Sequence, residues 1–322
     1  MLINTDILLT TATIIKMIIG AGVISMPYTF SRLGYIVGML FVACIICISQ
    51  MASTFLIKVK NLARRSNYPT IFYDITNSQC LKIIPPLIFA CGLTGVAIAD
   101  MIILKGTIKS FVASIAKKEG KGWVADQVYL SNWIIILFLG ILETPFIRVK
   151  KIHKLKYLSF IGTTGICFFM VFFLINFFLR IGSEAIDWKC RSDFKPFNDN
   201  FLEVISALPN ITFALGFQSN FFPIYKGLKN PTDSRIFWAC LVGVVTCGTF
   251  YTIAGVTGFC LYGHDIEANF LQTLDLEKTN ILVYVVLNLA IVISVFCSLP
   301  LVYFTARNNC ISICKIISNL IS

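Results

Sequence analysis

Apolar residues recur in eight long runs, and short segments between them hold most of the charged residues. About twenty consecutive apolar residues span the hydrocarbon core of a bilayer as a helix. The pattern therefore predicts an all-α polytopic membrane protein, folded as a single transmembrane domain over residues 1–322. The expected spans are about 7–30, 34–57, 83–108, 131–147, 157–179, 201–225, 235–262 and 280–304.

Composition excludes several classes of protein. Hydrophobic residues make up 57% of the chain and charged residues 13%, whereas a soluble domain has about 25% charged residues. The two histidines, His153 and His264, fall in connecting segments on opposite sides of the membrane, and no nucleophile with a general base is evident. No phosphate-binding Gly-rich loop is present, so the chain is not expected to be an enzyme or to use ATP directly.

The net charge of +11 indicates orientation rather than binding to nucleic acid. If the N-terminus is cytoplasmic, the inner segments are 58–82, 148–156, 226–235 and the tail from Arg307. They hold about fifteen Lys and Arg but only two acids, which is the distribution that the positive-inside rule describes. With eight spans, both termini are expected in the cytoplasm.

Two of the apolar runs are interrupted in the same way. The first contains Gly20-Ala21-Gly22 and then Pro27-Tyr28, and the sixth contains Gly216 and then Pro223-Ile224-Tyr225. Gly- and Pro-interrupted helices at corresponding places in two halves indicate the midplane site of a secondary transporter. The alternative is that the small residues only allow close packing between helices.

An unwound turn gives these breaks a chemical use. The N-terminal end of a half-helix that begins at Gly22 would bind a carboxylate, and the carbonyls before the break would bind an ammonium group or a cation. The surrounding residues are apolar and neutral, which favours a ligand that is otherwise uncharged. The expected substrate-binding residues are Gly20, Ala21, Gly22, Val23, Phe213, Ala214, Gly216, Phe217 and Gln218.

Ionisable residues at membrane depth are candidates for ion coupling. We expect this role for Lys16, Asp100 and Ser298, with H⁺ or Na⁺ as the coupling ion. Simpler roles stay open: Asp100 could pair with Lys105, and Ser298 could bond its own helix backbone, as Ser often does. Glu143 is expected to be structural, within reach of the basic connector 148–156.

The twelve cysteines are scattered, mostly within apolar runs, where a thiol behaves as a small hydrophobe. No metal site and no cofactor are expected. Cys190 and Cys260 both fall on the predicted outer side, so a disulfide between them is one possibility.

The interrupted segments resemble the amino acid/auxin permease family of amino acid transporters. Gly20-Ala-Gly-Val-Ile-Ser-Met-Pro-Tyr28 is similar to the family's first-helix signature, and Pro223-Ile-Tyr225 through Leu228-Lys-Asn-Pro231 is similar to that of the sixth helix. The basic connector and the stretch from Pro300 to Asn308 also resemble the family. The resemblance implies a leucine-transporter-type fold with inverted five-helix repeats, alternating access and an amino acid substrate.

The resemblance also bears on the coupling ion and the membrane. Lys16 stands where sodium-coupled members tend to have Asn and where proton-coupled and vacuolar members often have Lys. Gln218 stands where relatives carry His or Gln. Lys16 therefore favours proton coupling. The resemblance implies a vacuolar or lysosomal-type membrane or the plasma membrane.

The chain departs from the family in its number of helices. The family usually has eleven, so eight would correspond to one complete repeat of five and three helices of the second. We expect a shortened gene model, a reduced paralogue or a protein completed by an oligomeric partner. Two alternatives to an amino acid permease therefore stay open: a non-transporting sensor or interaction subunit, and a permease for another small solute.

Overall fold

The computed structural model describes residues 5–20, 22–118, 132–147, 156–181, 194–228, 231–273 and 281–321. Within these ranges the regular elements are helical and no strand occurs. Short 3₁₀ turns cover Leu81–Ile83 and Gln218–Asn220. The α-helices are α1 Thr5–Ile18, α2 Gly22–Leu33, α3 Tyr35–Ala63, α4 Tyr68–Thr76, α5 Ile84–Lys118, α6 Asn132–Ile147, α7 Lys156–Ile181, α8 Phe201–Ala214, α9 Phe221–Gly227, α10 Asp233–Tyr262, α11 Phe270–Thr273 and α12 Ile281–Ile321.

The helices confirm an all-α polytopic membrane protein. Six helical segments of the described chain are long and apolar enough to cross a bilayer, and α1 with α2 makes a seventh if the bent pair counts as one span. The fourth predicted run is the shorter apolar helix α6. Each of the eight apolar runs therefore corresponds to a helix or to a broken pair of helices.

Several bounds differ from the sequence prediction: α3 continues to Ala63 and α5 to Lys118, beyond the predicted ends at residues 57 and 108. The last helix, α12, has 41 residues and passes through Pro300, because apolar residues continue well beyond the predicted end at residue 304. At about 1.5 Å per residue such a helix is about twice as long as a bilayer core is thick. The segment 58–82, which was expected to be only a polar connection, contains α4. Pro69 lies in the first turn of α4, where a missing N–H costs nothing.

Helix α10 lies at the centre of the packing and contacts α1, α2, α3 and α7. Its glycines make these contacts close. A Cβ at Gly243 would lie 2.8 Å from Ile14 of α1, and one at Gly255 would overlap the ring of Phe30 of α2. Small residues that let helices approach closely are a usual basis of helix association in membranes. The small-residue packing considered for the broken helices is thus present on α10.

Candidate functional site

The first helix is broken at the predicted position. Helix α1 ends at Ile18, α2 begins at Gly22, and the two axes differ in direction by 55°. The Gly20 N–H donates to the Ile18 carbonyl at 3.0 Å, which closes a tight turn. A helix leaves its first N–H groups without intrahelical partners, so the start of α2 can receive an anion. Gly22 must be small, because a Cβ there would lie 3.0 Å from the Cβ of Ala214.

The sixth span is broken as well. Helix α8 ends at Ala214, and α9 begins at Phe221 after one 3₁₀ turn. The Gln218 side chain stabilises this break, because its Nε2 donates to Ser49 Oγ at 2.7 Å and its Oε1 accepts from the Phe217 N–H at 3.0 Å. The Tyr68 hydroxyl of α4 donates to the Gln218 carbonyl. Burial raises the pKa of that hydroxyl, so it stays protonated and able to donate.

A residue that sequence reasoning missed joins the two breaks. The hydroxyl of Tyr251, on α10, lies 2.8 Å from the Ile18 carbonyl oxygen and 3.3 Å from the Ala214 carbonyl oxygen. Tyr251 is fully buried. The local sequence carries no signal for this role, since a Tyr within an apolar run is usual and both partners are distant in the chain.

Both breaks face one cavity of about 1740 Å³. Most of the predicted site residues lie together on its wall. Val23 and Phe217 are not on this wall. They are only 0% and 1% exposed and belong to the hydrophobic core, so a direct substrate contact for them stays a prediction. Ala21 lies outside the described residues. The predicted residues that line the cavity are Lys16, Gly20, Gly22, Asp100, Phe213, Ala214, Gly216, Gln218 and Ser298.

The Lys16 side chain extends from α1 to α12. It is almost fully buried, and Nζ lies 3.4 Å from the Ser294 carbonyl oxygen of α12. A Cβ at Gly162 of α7 would lie 2.6 Å from Nζ, so a larger residue there would displace the end of the Lys16 side chain. Lys16 thus sits where α1, α7 and α12 meet.

Asp100, on α5, is buried and faces Lys16 and Ser298. In the part of the chain that the structure describes, no ion pair connects Asp100 with Lys105, so that alternative receives no support. The Ser298 hydroxyl donates to the Val295 carbonyl of its own helix at 2.7 Å, and it also lies within reach of the Asp100 carboxylate. Lys16, Asp100 and Ser298 are therefore brought together, although their role in ion coupling stays a prediction.

A second acid lies behind this group. Glu143 of α6 is 0% exposed, and among the described residues neither of its carboxylate oxygens has a hydrogen-bond partner. It interacts electrostatically with Asp100. Residues 148–155 of the basic connector, the partner expected from the sequence, lie outside the described residues, and so does Cys190 of the possible disulfide.

Several curated transporters are similar to the chain. Solute carrier family 38 member 8 of Mus musculus is 21% identical over 92% of this chain and 66% of the relative. Vacuolar amino acid transporter 7 of Saccharomyces cerevisiae is 22% identical over 84% of this chain and 53% of the relative. Sodium-coupled neutral amino acid transporter 7 of Danio rerio is 22% identical over 91% and 62%. The chain thus spans between about half and two thirds of the length of these relatives.

Residues 4–317 match the family described as transmembrane amino acid transporter protein. The matched range includes both helix breaks and every residue on the cavity wall discussed above. The chain therefore belongs to the transmembrane amino acid transporter family.

Proposed function

We propose that the chain carries amino acids with neutral side chains across a membrane by secondary active transport coupled to protons. The observation that carries this proposal is the convergence of two broken helices on one cavity. Irregular backbone at membrane depth is tolerated only where it is buried in protein or lines a cavity. Half-helix ends that meet at such a cavity are typical of transporter substrate sites.

The polarity of the half-helix ends suits a zwitterion. The N-terminal end of α2, at Gly22, carries a partial positive charge that favours a carboxylate. The C-terminal ends of α1 and α8 carry a partial negative charge, and the carbonyl oxygens of Ile18 and Ala214 meet next to the same cavity. An amino acid with its carboxylate at Gly22 and its ammonium group at these carbonyls would satisfy both ends.

The cavity wall beside the breaks supports the choice of neutral side chains. Phe89, Leu93 and Val96 of α5 and Phe213 of α8 are among the residues that line it. Small-molecule sites typically have volumes of about 300–1,000 Å³, so one amino acid would fill only the part of the cavity next to the breaks.

Coupling to protons is proposed from the position of Lys16. Its amino group lies where a bound cation would otherwise meet the Ser294 carbonyl, and Asp100 faces it as a proton acceptor. A titratable base and acid at membrane depth are the usual parts of a proton relay. One relative is named as sodium-coupled, so Na⁺ is the alternative that the experiment must separate.

The test is uptake of radiolabelled L-leucine, L-alanine and L-glutamine into proteoliposomes that contain the purified full chain. Each assay is run with and without an imposed pH gradient, in NaCl and in choline chloride. We expect saturable uptake that a pH gradient accelerates in both salts. Uptake that requires NaCl and ignores the pH gradient would overturn proton coupling, and saturable binding without uptake would identify a sensor instead of a carrier.

A further inference from the structure

The single hydroxyl of Tyr251 contacts a backbone carbonyl at each of the two helix breaks. A phenolic hydroxyl carries one proton, yet two carbonyl oxygens lie within hydrogen-bond distance of it, Ile18 O at 2.8 Å and Ala214 O at 3.3 Å. The single proton can form a strong hydrogen bond with only one of the two carbonyls, and the shorter distance favours that of Ile18, so the Ala214 carbonyl receives at most a weak share. The Ala214 carbonyl therefore keeps most of its partial negative charge for another donor.

These two carbonyls belong to the ends of different half-helices. Ile18 closes α1 and Ala214 closes α8, and both residues line the cavity. Tyr251 itself is fully buried and is not part of the cavity wall. Its hydroxyl therefore contacts the two carbonyls without itself lining the cavity.

The surroundings hold this geometry in place. A Cβ at Gly22 would lie 3.4 Å from the Tyr251 hydroxyl oxygen and 3.0 Å from the Ala214 Cβ, so the start of α2 packs against the same point. One turn earlier on α10, the thiol of Cys247 lies 3.9 Å from the Ile15 carbonyl. The tyrosine is thus fixed against α1, α2 and α8 together.

We propose that Tyr251 is a positioning residue for the ammonium group of the substrate: its hydroxyl sets the spacing of the Ile18 and Ala214 carbonyls and leaves one of them free to accept an N–H from the ligand. This inference rests on the proposed function, since it requires an amino acid at the breaks. It separates the recognition of the ammonium group from that of the carboxylate, which lies at the start of α2.

The test compares Tyr251→Phe with the wild-type chain and with Tyr284→Phe. Tyr284 is a matched control, because it is also fully buried and its hydroxyl also makes a hydrogen bond, with Ser114 Oγ at 3.2 Å, away from both breaks. Two quantities are measured on each purified protein in detergent: the Kd of L-leucine, and the Kd of 4-methylpentanoate, which has the same skeleton without the amino group. KM and Vmax of L-leucine uptake are measured in proteoliposomes.

We expect Tyr251→Phe to raise the Kd and KM of L-leucine about tenfold, with Vmax and the Kd of 4-methylpentanoate changed less than twofold. Tyr284→Phe should leave all four values unchanged. Replacement of Tyr251 by 4-aminophenylalanine, which returns an N–H donor to the same point, should restore the Kd of L-leucine to within threefold of wild type. If the Phe variant fails to fold, the Kd values of the two ligands are measured on the 4-aminophenylalanine variant instead.

An equal loss of affinity for both ligands, or an unchanged Kd for L-leucine, would overturn the inference. Wild-type protein that binds L-leucine but does not take it up would overturn the transport proposal alone, since the Kd comparison still tests Tyr251. Wild-type protein that binds no L-leucine in detergent would overturn the inference for this substrate class.

Discussion

The amino group of Lys16 lies 3.4 Å from the backbone carbonyl oxygen of Ser294, which connects the end of the first half-helix to the long helix α12. The two residues are 278 positions apart in the chain. The Ser294 hydroxyl has no hydrogen-bond partner among the described residues, so the backbone and not the side chain of Ser294 meets Lys16. This contact places a titratable group at the junction of α1 with α12.

Substitution of Lys16 by Met tests whether this group couples transport to protons. We expect Lys16→Met to lower gradient-driven uptake of L-leucine at least tenfold, to the rate without a gradient, because the variant keeps the aliphatic stem and removes the titratable amine. Exchange of leucine between equal internal and external pools should persist. Lys58→Met, at an exposed position of α3, is the control. A Lys16→Met protein that still responds to the pH gradient would contradict a coupling role for Lys16.

Gly162 should affect proton-coupled uptake because it lies directly against the Lys16 amino group. A Cβ at this position would lie 2.6 Å from the Lys16 Nζ and 3.0 Å from the Cys297 Cβ, so Gly162→Ala should displace the amino group and reduce gradient-driven uptake several-fold. Gly140→Ala is the matched control, because nothing lies within 4 Å of the Cβ it would add.

The two substitutions should not be additive. If Gly162→Ala acts by displacing Lys16, it should cause no further loss of uptake in a Lys16→Met background, as expected of residues in contact. A full additional loss in the double variant would show that Gly162 acts through packing with α12 instead.

Sequence reasoning reached the helix breaks but not the contacts that hold them. Gly20, Gly22 and Gly216 interrupt apolar runs, and that interruption can be read locally because glycine and proline disfavour a continuous helix. The roles of Tyr251 and Gly162 could not be read in this way. Each depends on a partner on another helix, and an apolar run contains no information about which of its faces meets which neighbour.

Val23 and Phe217 also show that a local sequence pattern does not reveal which way a side chain points. Each is next in sequence to a residue that lines the cavity, yet each is fully buried in the core. Adjacent residues of a helix or tight turn point in different directions. Proximity in sequence therefore identified the break, whereas which of its residues line the cavity depends on packing, and a direct substrate contact for Val23 and Phe217 stays a prediction.

Glu143 should behave as a buried acid without a compensating partner. Leaving a buried polar group unsatisfied costs about 1–3 kcal/mol, and Glu143 is 0% exposed with no hydrogen bond to its carboxylate among the described residues. Glu143→Met should therefore leave the melting temperature of the purified protein unchanged or raise it by a few degrees. A marked fall in melting temperature would instead show that the carboxylate has a partner, as expected if the basic connector 148–156 reaches it.

Among the described residues, two ion pairs that join helices should differ in their contribution to stability. At the start of α8, Glu203 Oε2 lies 3.1 Å from Arg32, and both side chains are about one third exposed. At the start of α10, Asp233 Oδ1 lies 2.5 Å from Lys60, whose side chain is only 10% exposed, although that of Asp233 is 42% exposed, so only the Lys60 end of this pair is buried. Exposed pairs contribute about 0–1 kcal/mol, whereas removal of one partner from a buried pair costs more because a charge is left unpaired.

Neutral substitutions of the two acids test this difference directly. Glu203→Gln should lower the free energy of unfolding by less than about 1 kcal/mol, since its amide oxygen can still accept from Arg32 and water surrounds the guanidinium. Asp233→Asn should cost more, because it removes the negative charge opposite the buried Lys60 ammonium group, whose other side-chain hydrogen bond among the described residues is with the Tyr225 hydroxyl, 2.8 Å away. Thermal unfolding of both variants in the same detergent gives the comparison, and a loss for Glu203→Gln equal to or greater than that for Asp233→Asn would show that burial does not set the strength of these pairs.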